Sequence, residues 1–140
     1  MTQKQDLSLD DFFGPVISTY TRAQAIEDGV LVDVTELAQE AGILYPVAIT
    51  CRLFNEWITP SAVEEKHGQD VTGRLWDVIS MFRFAARRNF SSTMHYPVIF
   101  ARAMKTTNLR LKQQTITLKA TCGPGDNGEP VITIMLPSED

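Results

Sequence analysis

The spacing of apolar residues changes about two-thirds of the way along the chain. Before that point it follows the 3.6-residue period of helices, most clearly in Asp70 to Asn89, where the apolar stripe consists of Val71, Leu75, Val78, Phe82 and Ala85/Ala86, widened by Ile79. After Pro97 the period becomes two, which is typical of strands. The pattern predicts an α+β fold, in which a small antiparallel sheet from the C-terminal half packs against helices from residues 21–89.

Start and stop signals divide the first part of the chain into short elements. Two short helices are predicted, Arg22–Asp28 and one that begins after Thr35 and ends at Gly42, because each follows a threonine in the N-cap position and ends at a glycine. The run Val30–Val34 between them is typical of a strand, and so is Val16–Tyr20 near the start of the chain.

A longer helix is predicted to open at Pro46, since proline fits the first turn of a helix without losing a hydrogen bond. Its apolar stripe has spacings of four, three and four residues, in Val47, Cys51, Phe54 and Ile58. The following residues, 59–68, are expected to form a loop with one helical turn. This helix and that of residues 70–89 are expected to cover one face of the sheet.

The C-terminal half predicts strands joined by a hairpin. Val98–Met104 is one strand, and the turn at Gly123–Pro130 joins Thr115–Cys122 to Val131–Leu136. In the preceding segment the apolar residues switch from odd to even numbers, between the pair Leu109 and Leu111 and the set that starts at Ile116. One extra residue near Gln113–Gln114 would return both sets to one face, so a β-bulge is predicted there, with a tight turn as the alternative.

The length of 140 residues and the ordinary composition, 44% hydrophobic and 21% charged, are typical of one globular domain. Residues 1–14 are predicted to be a flexible tail and residues 15–140 a single domain. No apolar run approaches the roughly 20 residues that a membrane span needs, and the polar N-terminus does not resemble a signal peptide. We therefore expect a cytoplasmic protein without membrane contact, and its two cysteines to be reduced thiols, with a disulfide or redox pair as the alternative.

The sequence contains no recognisable catalytic, metal or cofactor motif. His67 and His95 have no metal ligands at suitable spacing, and the glycine-rich turn at residues 123–128 lacks the lysine and the following helix of a phosphate-binding loop. Cys51 lies on an apolar stripe, and Cys122 has no local base. We therefore predict no metal, no cofactor and no catalytic residues.

Asp33 is the carboxylate best placed for acid–base chemistry, because it follows an apolar strand and precedes a helix. The structural alternative is a hydrogen bond to the turn or to the next helix. Asp33 and Cys122 carry the remaining hypothesis of an enzyme.

Charge is distributed unevenly along the chain. Residues 1–70 hold four basic and twelve acidic side chains, whereas residues 71–140 hold nine basic and five acidic ones. The predicted bulge would place part of the basic set on one hydroxyl-rich outer face of the sheet. The candidate binding residues are Arg83, Arg87, Arg110, Lys112 and Lys119. Such a surface contacts phosphates without reading bases. The alternatives are neutralisation by the acidic helices or contact with a protein, and an isoelectric point of about 5.1 is low for a nucleic-acid-binding domain.

One run of residues resembles a known family. Tyr20–Val34, followed by Thr35, Gly42 and Tyr45–Ala48, resembles a small family of uncharacterised proteins encoded on bacterial plasmids and phages. The resemblance covers residues 16–60 well and the helix of residues 70–88 loosely. It implies a bacterial host and an accessory gene of a mobile element, and it brings no activity. Accessory products of this kind often bind host or invader macromolecules, which is an analogy.

These observations predict a non-catalytic accessory binding protein that acts through a protein partner or by self-association as a homodimer. The alternative is sequence-independent nucleic-acid binding by the basic side chains of the C-terminal half.

Overall fold

The computed structural model describes residues 20–104 and 107–140. Within these residues the chain forms five helices and five strands, and the predicted α+β class is confirmed. The elements in chain order are α1 Arg22–Glu27, β1 Leu31–Asp33, α2 Thr35–Glu40, β2 Val47–Thr50, α3 Cys51–Leu53 continued by the π-helical turn Phe54–Ile58, α4 Ala62–Lys66, α5 Val71–Arg88, β3 Thr93–Met104, β4 Thr107–Pro124 and β5 Pro130–Met135. The predicted tail and most of the run Val16–Tyr20 lie outside the described residues.

The five strands form one sheet in the order β1-β2-β5-β4-β3. All neighbouring pairs are antiparallel except β2 and β5, which are parallel. The predicted hairpin is confirmed, since β4 and β5 pair from Lys119↔Met135 to Pro124↔Pro130. The sheet is larger than predicted, because the first half of the chain contributes β1 and β2 on one side.

The helix predicted to open at Pro46 is wrong at its start. Val47, Ala48 and Ile49 are all buried and form the inner strand β2 between β1 and β5. A run of consecutive apolar residues fits a strand that is covered on both faces, whereas one helical face would expose some of them. The helix begins only at Cys51, where Thr50 Oγ1 accepts a hydrogen bond from the backbone N–H of Leu53 at 3.2 Å.

The predicted β-bulge at Gln113–Gln114 is also wrong. The ladder between β3 and β4 is uninterrupted from Ala103↔Leu111 to Thr93↔Thr121, and the irregularity lies between Ala103 and Met104. β3 begins five residues earlier than predicted and includes Pro97, which is tolerated because β3 is an edge strand. The later, even-numbered residues Leu118 and Ala120 of β4 are buried in the core, whereas the odd-numbered Leu111 is only half-buried.

Helix α5 anchors that layer. Asp70 caps its N-terminus, with Oδ1 accepting from the backbone N–H of Gly73 at 2.7 Å. A Cβ atom at Gly73 would come within 2.9 Å of the same oxygen, so glycine allows the cap to close. Val78 and Phe82 pack in the core, and the Val78 carbonyl accepts a hydrogen bond from the hydroxyl of buried Tyr96 at 3.0 Å.

Helix α1 is held against the other face of the sheet. Arg22 donates to Thr133 Oγ1 and to the carbonyl of Ile132, both at 2.7 Å. Asp126, in the β4–β5 turn, accepts from the backbone N–H groups of Arg22 and Ala23. The β4–β5 turn thus holds the first described residues against the C-terminal hairpin.

Candidate binding surfaces around helix α5 and strand β3

The five basic residues predicted to share one surface lie in three places. Arg83 and Arg87 are one turn apart near the C-terminus of α5, and Arg110 and Lys112 lie in β4 beside the last residues of β3. Lys119 is an odd number of residues from Lys112 in an uninterrupted ladder, so their side chains point to opposite faces. The Lys119 Nζ donates to the backbone carbonyl of Glu139. The common face predicted from the bulge is therefore not formed, and the binding role of these residues stays a prediction.

The direction of α5 separates the first two places. Arg74, in the first turn, donates to the carbonyl of Ala101 near the end of β3, whereas Val78 accepts from Tyr96 nearer its beginning. The helix thus runs antiparallel to β3, and its C-terminus lies at the opposite end of β3 from Lys112.

The C-terminal end of α5 carries a cluster that we call the arginine–aromatic surface. It consists of Arg83, Phe84, Arg87 and Arg88 of the helix, Phe90 just after it, and Tyr45 from the segment before β2. Phe84 and Phe90 are 56% and 54% exposed, and the Arg88 guanidinium lies 5.6 Å from the centroid of the Phe84 ring. Positive charge in this last turn is favourable because the helix dipole is negative there.

The charges of this surface are open to solvent or to a partner. Among the described residues, no carboxylate lies within ion-pair distance of Arg83, Arg87 or Arg88. The ion pairs of the described part of the chain are Arg52–Glu56, Arg74–Glu64 and Arg102–Glu64. Arg83 is half-buried against Gly42, where a Cβ atom would come within 3.0 Å of its Nε. A groove of about 360 Å³ passes between Arg83, Arg87 and the exposed Leu44, Tyr45 and Phe90.

A second cluster is buried where α4, α5 and β3 meet. Glu64 and Arg74 form an ion pair at 3.1 Å, and both side chains are nearly inaccessible to water. Glu64 Oε1 also accepts from the backbone N–H of Ser61 at 3.0 Å, which completes a capping box on α4. Glu64 Oε2 accepts from the backbone N–H of Ala103 at 2.8 Å and lies 3.4 Å from Arg102 Nε.

These contacts decide the charge state of the carboxyl group. Burial alone would raise the pKa of Glu64, but the backbone N–H groups of Ser61 and Ala103, together with Arg74, hold that pKa below its ordinary value. Glu64 is thus a carboxylate at neutral pH.

Arg74 uses its donors on several elements at once. Besides Glu64 it donates to the carbonyls of Ala101 at 2.6 Å and Trp57 at 3.0 Å, and to Gln69 Oε1 at 3.3 Å. Arg102 continues the cluster outward, with its guanidinium 4.2 Å from the centroid of the Trp57 ring. We call Glu64, Arg74 and Arg102 the buried ion cluster.

A groove of about 600 Å³ adjoins the buried ion cluster along the outer side of β3. The helical side contributes Gln69, Asp77 and Met81, and the strand contributes Pro97 to Ala101. Partial burial in this groove raises the pKa of the Asp77 carboxyl. Gln113 and Thr115 of β4 complete the lining, and Pro97 to Ala101 of the edge strand are therefore accessible from the groove.

The family of the chain follows from a match that covers nearly all of it. Residues 9–140 match DUF6573, which is described as a family of unknown function. The chain belongs to this family. No curated protein and no solved structure matches the chain.

Among the residues considered for catalysis or metal binding, Asp33 has a structural role. Asp33 Oδ1 accepts from both the backbone N–H and the hydroxyl of Thr35, which is the alternative that the sequence left open. Cys51 and Cys122 are half-buried free thiols. Within residues 20–104 and 107–140, no three metal-ligating side chains come together. None of the described helices has both the length and the hydrophobicity of a membrane span.

The buried ion cluster does not follow from the pattern of apolar residues, although two local signals for it are present. Ser61 and Glu64 have the spacing of a capping box, which locates α4 inside the predicted loop. Arg74 lies beside the apolar stripe of α5, where an uncompensated charge would be unfavourable, so a buried partner was to be expected.

Proposed function

We propose that this protein is a non-catalytic accessory binding protein whose protein partner docks on the arginine–aromatic surface. The observation that carries the proposal is the combination of three arginines without carboxylate partners among the described residues and two half-exposed phenylalanines at one end of α5.

The composition of this surface supports a protein partner. Arginine and aromatic side chains are enriched at the centres of protein interfaces, where they lose contact with water on binding. Phe84 and Phe90 supply apolar area, and the arginines select a partner that presents carboxylates around an apolar centre. The resemblance to proteins of plasmids and phages supports the further proposal that the protein serves a mobile element and binds a bacterial host protein or a competitor's protein.

A site-specific cross-link tests the proposal. A photoreactive phenylalanine analogue is placed at Phe84, and for comparison at Glu36, which is exposed on α2. In cells that naturally carry the gene, irradiation is expected to give a defined protein adduct from position 84 and none from position 36. The charge reversals Arg87→Glu and Arg88→Glu together should abolish the adduct. An adduct that survives these reversals, or no protein adduct at position 84, contradicts the proposal.

Binding of single-stranded nucleic acid is the second candidate function. It is supported by the same surface, because arginines beside exposed aromatic rings are how many proteins hold unpaired bases and their phosphates. In an anisotropy titration with a labelled oligothymidylate, three phosphate contacts would give a slope of about −2 for log K against log salt concentration. Reversal of Arg87 and Arg88 would flatten that slope, whereas reversal of Arg110 and Lys112 would not. No retardation of the oligonucleotide at low salt removes this candidate.

A further inference from the structure

Strand β3 is an edge strand of twelve residues, and its hydrogen bonds show which of its residues face outward. The carbonyl of Ser92 accepts from the backbone N–H of Cys122 on β4, so the even-numbered residues point their backbone groups inward. The odd-numbered residues must then point theirs outward. Two contacts confirm this, since the Ala101 carbonyl and the Ala103 N–H both bond to side chains of the buried ion cluster.

The outer edge is thus closed at one end and open in its middle. Glu64 and Arg74 bond the groups that a neighbouring strand would otherwise take at Ala103 N–H and the Ala101 carbonyl. Pro97 has no N–H to offer. Four groups remain beside the groove, namely the Pro97 carbonyl, the N–H and carbonyl of Ile99, and the Ala101 N–H.

This set of four groups is complementary to itself. In an antiparallel pair centred on two Ile99 residues, each Ile99 N–H meets the carbonyl of the other, and each Ala101 N–H meets the Pro97 carbonyl opposite. Within Pro97–Ala101, the only other bond of that register would join an N–H of Pro97, which does not exist, to the Ala101 carbonyl, which Arg74 already occupies. No backbone group of this five-residue segment is left without a partner, and the pairing ends there because the next bond, to His95, would need the Ala103 N–H that Glu64 holds.

We propose that a second copy of this chain pairs antiparallel with the outer edge of β3 about a two-fold axis at Ile99. The two sheets then continue as one sheet of ten strands. The Ile99 side chain, 53% exposed in the single chain, is covered by its symmetry mate. The buried ion cluster sets the register, because a strand shifted toward Met104 would meet groups that Glu64 and Arg74 already hold. This inference does not depend on the proposed function.

Sedimentation velocity over a range of concentrations tests the association. The full chain is expected to show a reversible monomer–dimer equilibrium. Ile99→Lys places two like charges opposite each other at the axis and should raise the dimer dissociation constant at least about tenfold. The control Gln39→Lys adds the same charge to an exposed position of α2, away from β3, and should leave the constant unchanged. A chain that stays monomeric, or a dimer insensitive to Ile99→Lys, overturns the proposal.

Amide hydrogen exchange tests the register directly. The Ile99 and Ala101 N–H groups point away from β4, so they should exchange quickly in dilute protein and become protected as the dimer fills. The Ala103 N–H, bonded to Glu64, should be protected at every concentration. A dimer in which the Ile99 amide still exchanges quickly would place the contact elsewhere and overturn the proposal. Exchange rates measured on Ile99→Lys show whether this variant keeps its fold.

Discussion

At the scale of single residues, Glu64 connects three elements of the molecule. Its two oxygens hold the start of α4, the guanidinium of Arg74 on α5, and the backbone of Ala103 on β3. A buried carboxylate is stable only when its hydrogen bonds and counter-charge offset the loss of water. Removing one member therefore leaves the other buried and uncompensated.

We expect Glu64→Gln to lower the free energy of unfolding by about 3 kcal/mol, because Arg74 loses its counter-charge in a site closed to water. The matched control is Glu56→Gln, which breaks an ion pair with Arg52 whose side chains are about half exposed. That change should cost no more than about 0.5 kcal/mol. Urea denaturation of the three proteins measures both effects, and equal losses would contradict the role given to the buried ion cluster.

The contribution of Glu64 to the free energy of unfolding should also depend on pH. Its pKa is lower in the folded than in the unfolded chain, so the stability contributed by its ionised form is present above the ordinary carboxyl pKa of about 4.3. That contribution is lost as the pH falls through the lower folded-state pKa. The difference in unfolding free energy between the natural chain and Glu64→Gln should be constant near neutral pH and shrink in acid. A difference that grows on acidification would show the opposite sign of the pKa shift.

At the scale of elements, signals within a few residues predict some helix starts correctly, whereas features that depend on tertiary contacts are not predicted. The starts of α1 and α5 follow from the capping residues Thr21 and Asp70, because a cap is a contact within four residues of sequence. Thr35 is the exception. It was predicted as a cap but is the first residue of α2, and its hydroxyl bonds Asp33 and the backbone of Val47 instead.

The cap of α5 can be tested with a pair of variants. Asp70→Ala removes the acceptor of the Gly73 N–H and should destabilise the protein by about 1 kcal/mol. Asp70→Asn keeps an oxygen in the same position and should lose only a few tenths of that amount. Thermal unfolding distinguishes the two, and an equally large loss in both variants would attribute the effect to charge rather than to the cap.

At the scale of the whole molecule, the uneven distribution of charge leaves the arginine–aromatic surface without carboxylate partners among the described residues. Its aromatic side chains lie half exposed on a fold whose core is filled by others. Residues that are retained for binding rather than for stability should be replaceable without loss of the fold.

Two phenylalanines on α5 make that comparison. Phe82 is 3% exposed and packs against Tyr96, with ring centroids 5.9 Å apart, whereas Phe84 is 56% exposed. We expect Phe82→Ala to cost about 4 kcal/mol and Phe84→Ala no more than about 1 kcal/mol in unfolding free energy. Chemical denaturation measures both. A large loss for Phe84→Ala would mean that this ring supports the fold, and the proposed surface would lose its main support.

The sequence by itself determined the elements whose causes are local. The period of apolar residues located α5, and the glycine-rich turn located the β4–β5 hairpin, because these signals need no distant partner.

Only the tertiary structure decided the rest. Val47–Ile49 became a strand because β1 and β5 supply hydrogen bonds on both sides, and the spacing of apolar residues carries no record of those neighbours. β4 continues without the predicted bulge, so Lys112 and Lys119 point to opposite faces and the basic residues do not gather on one face. The buried ion cluster joins residues 64, 74 and 102, and the open edge of β3 exists because that cluster bonds only one end of it. Each of these features is a contact between segments far apart in sequence, which a pattern along the chain does not encode.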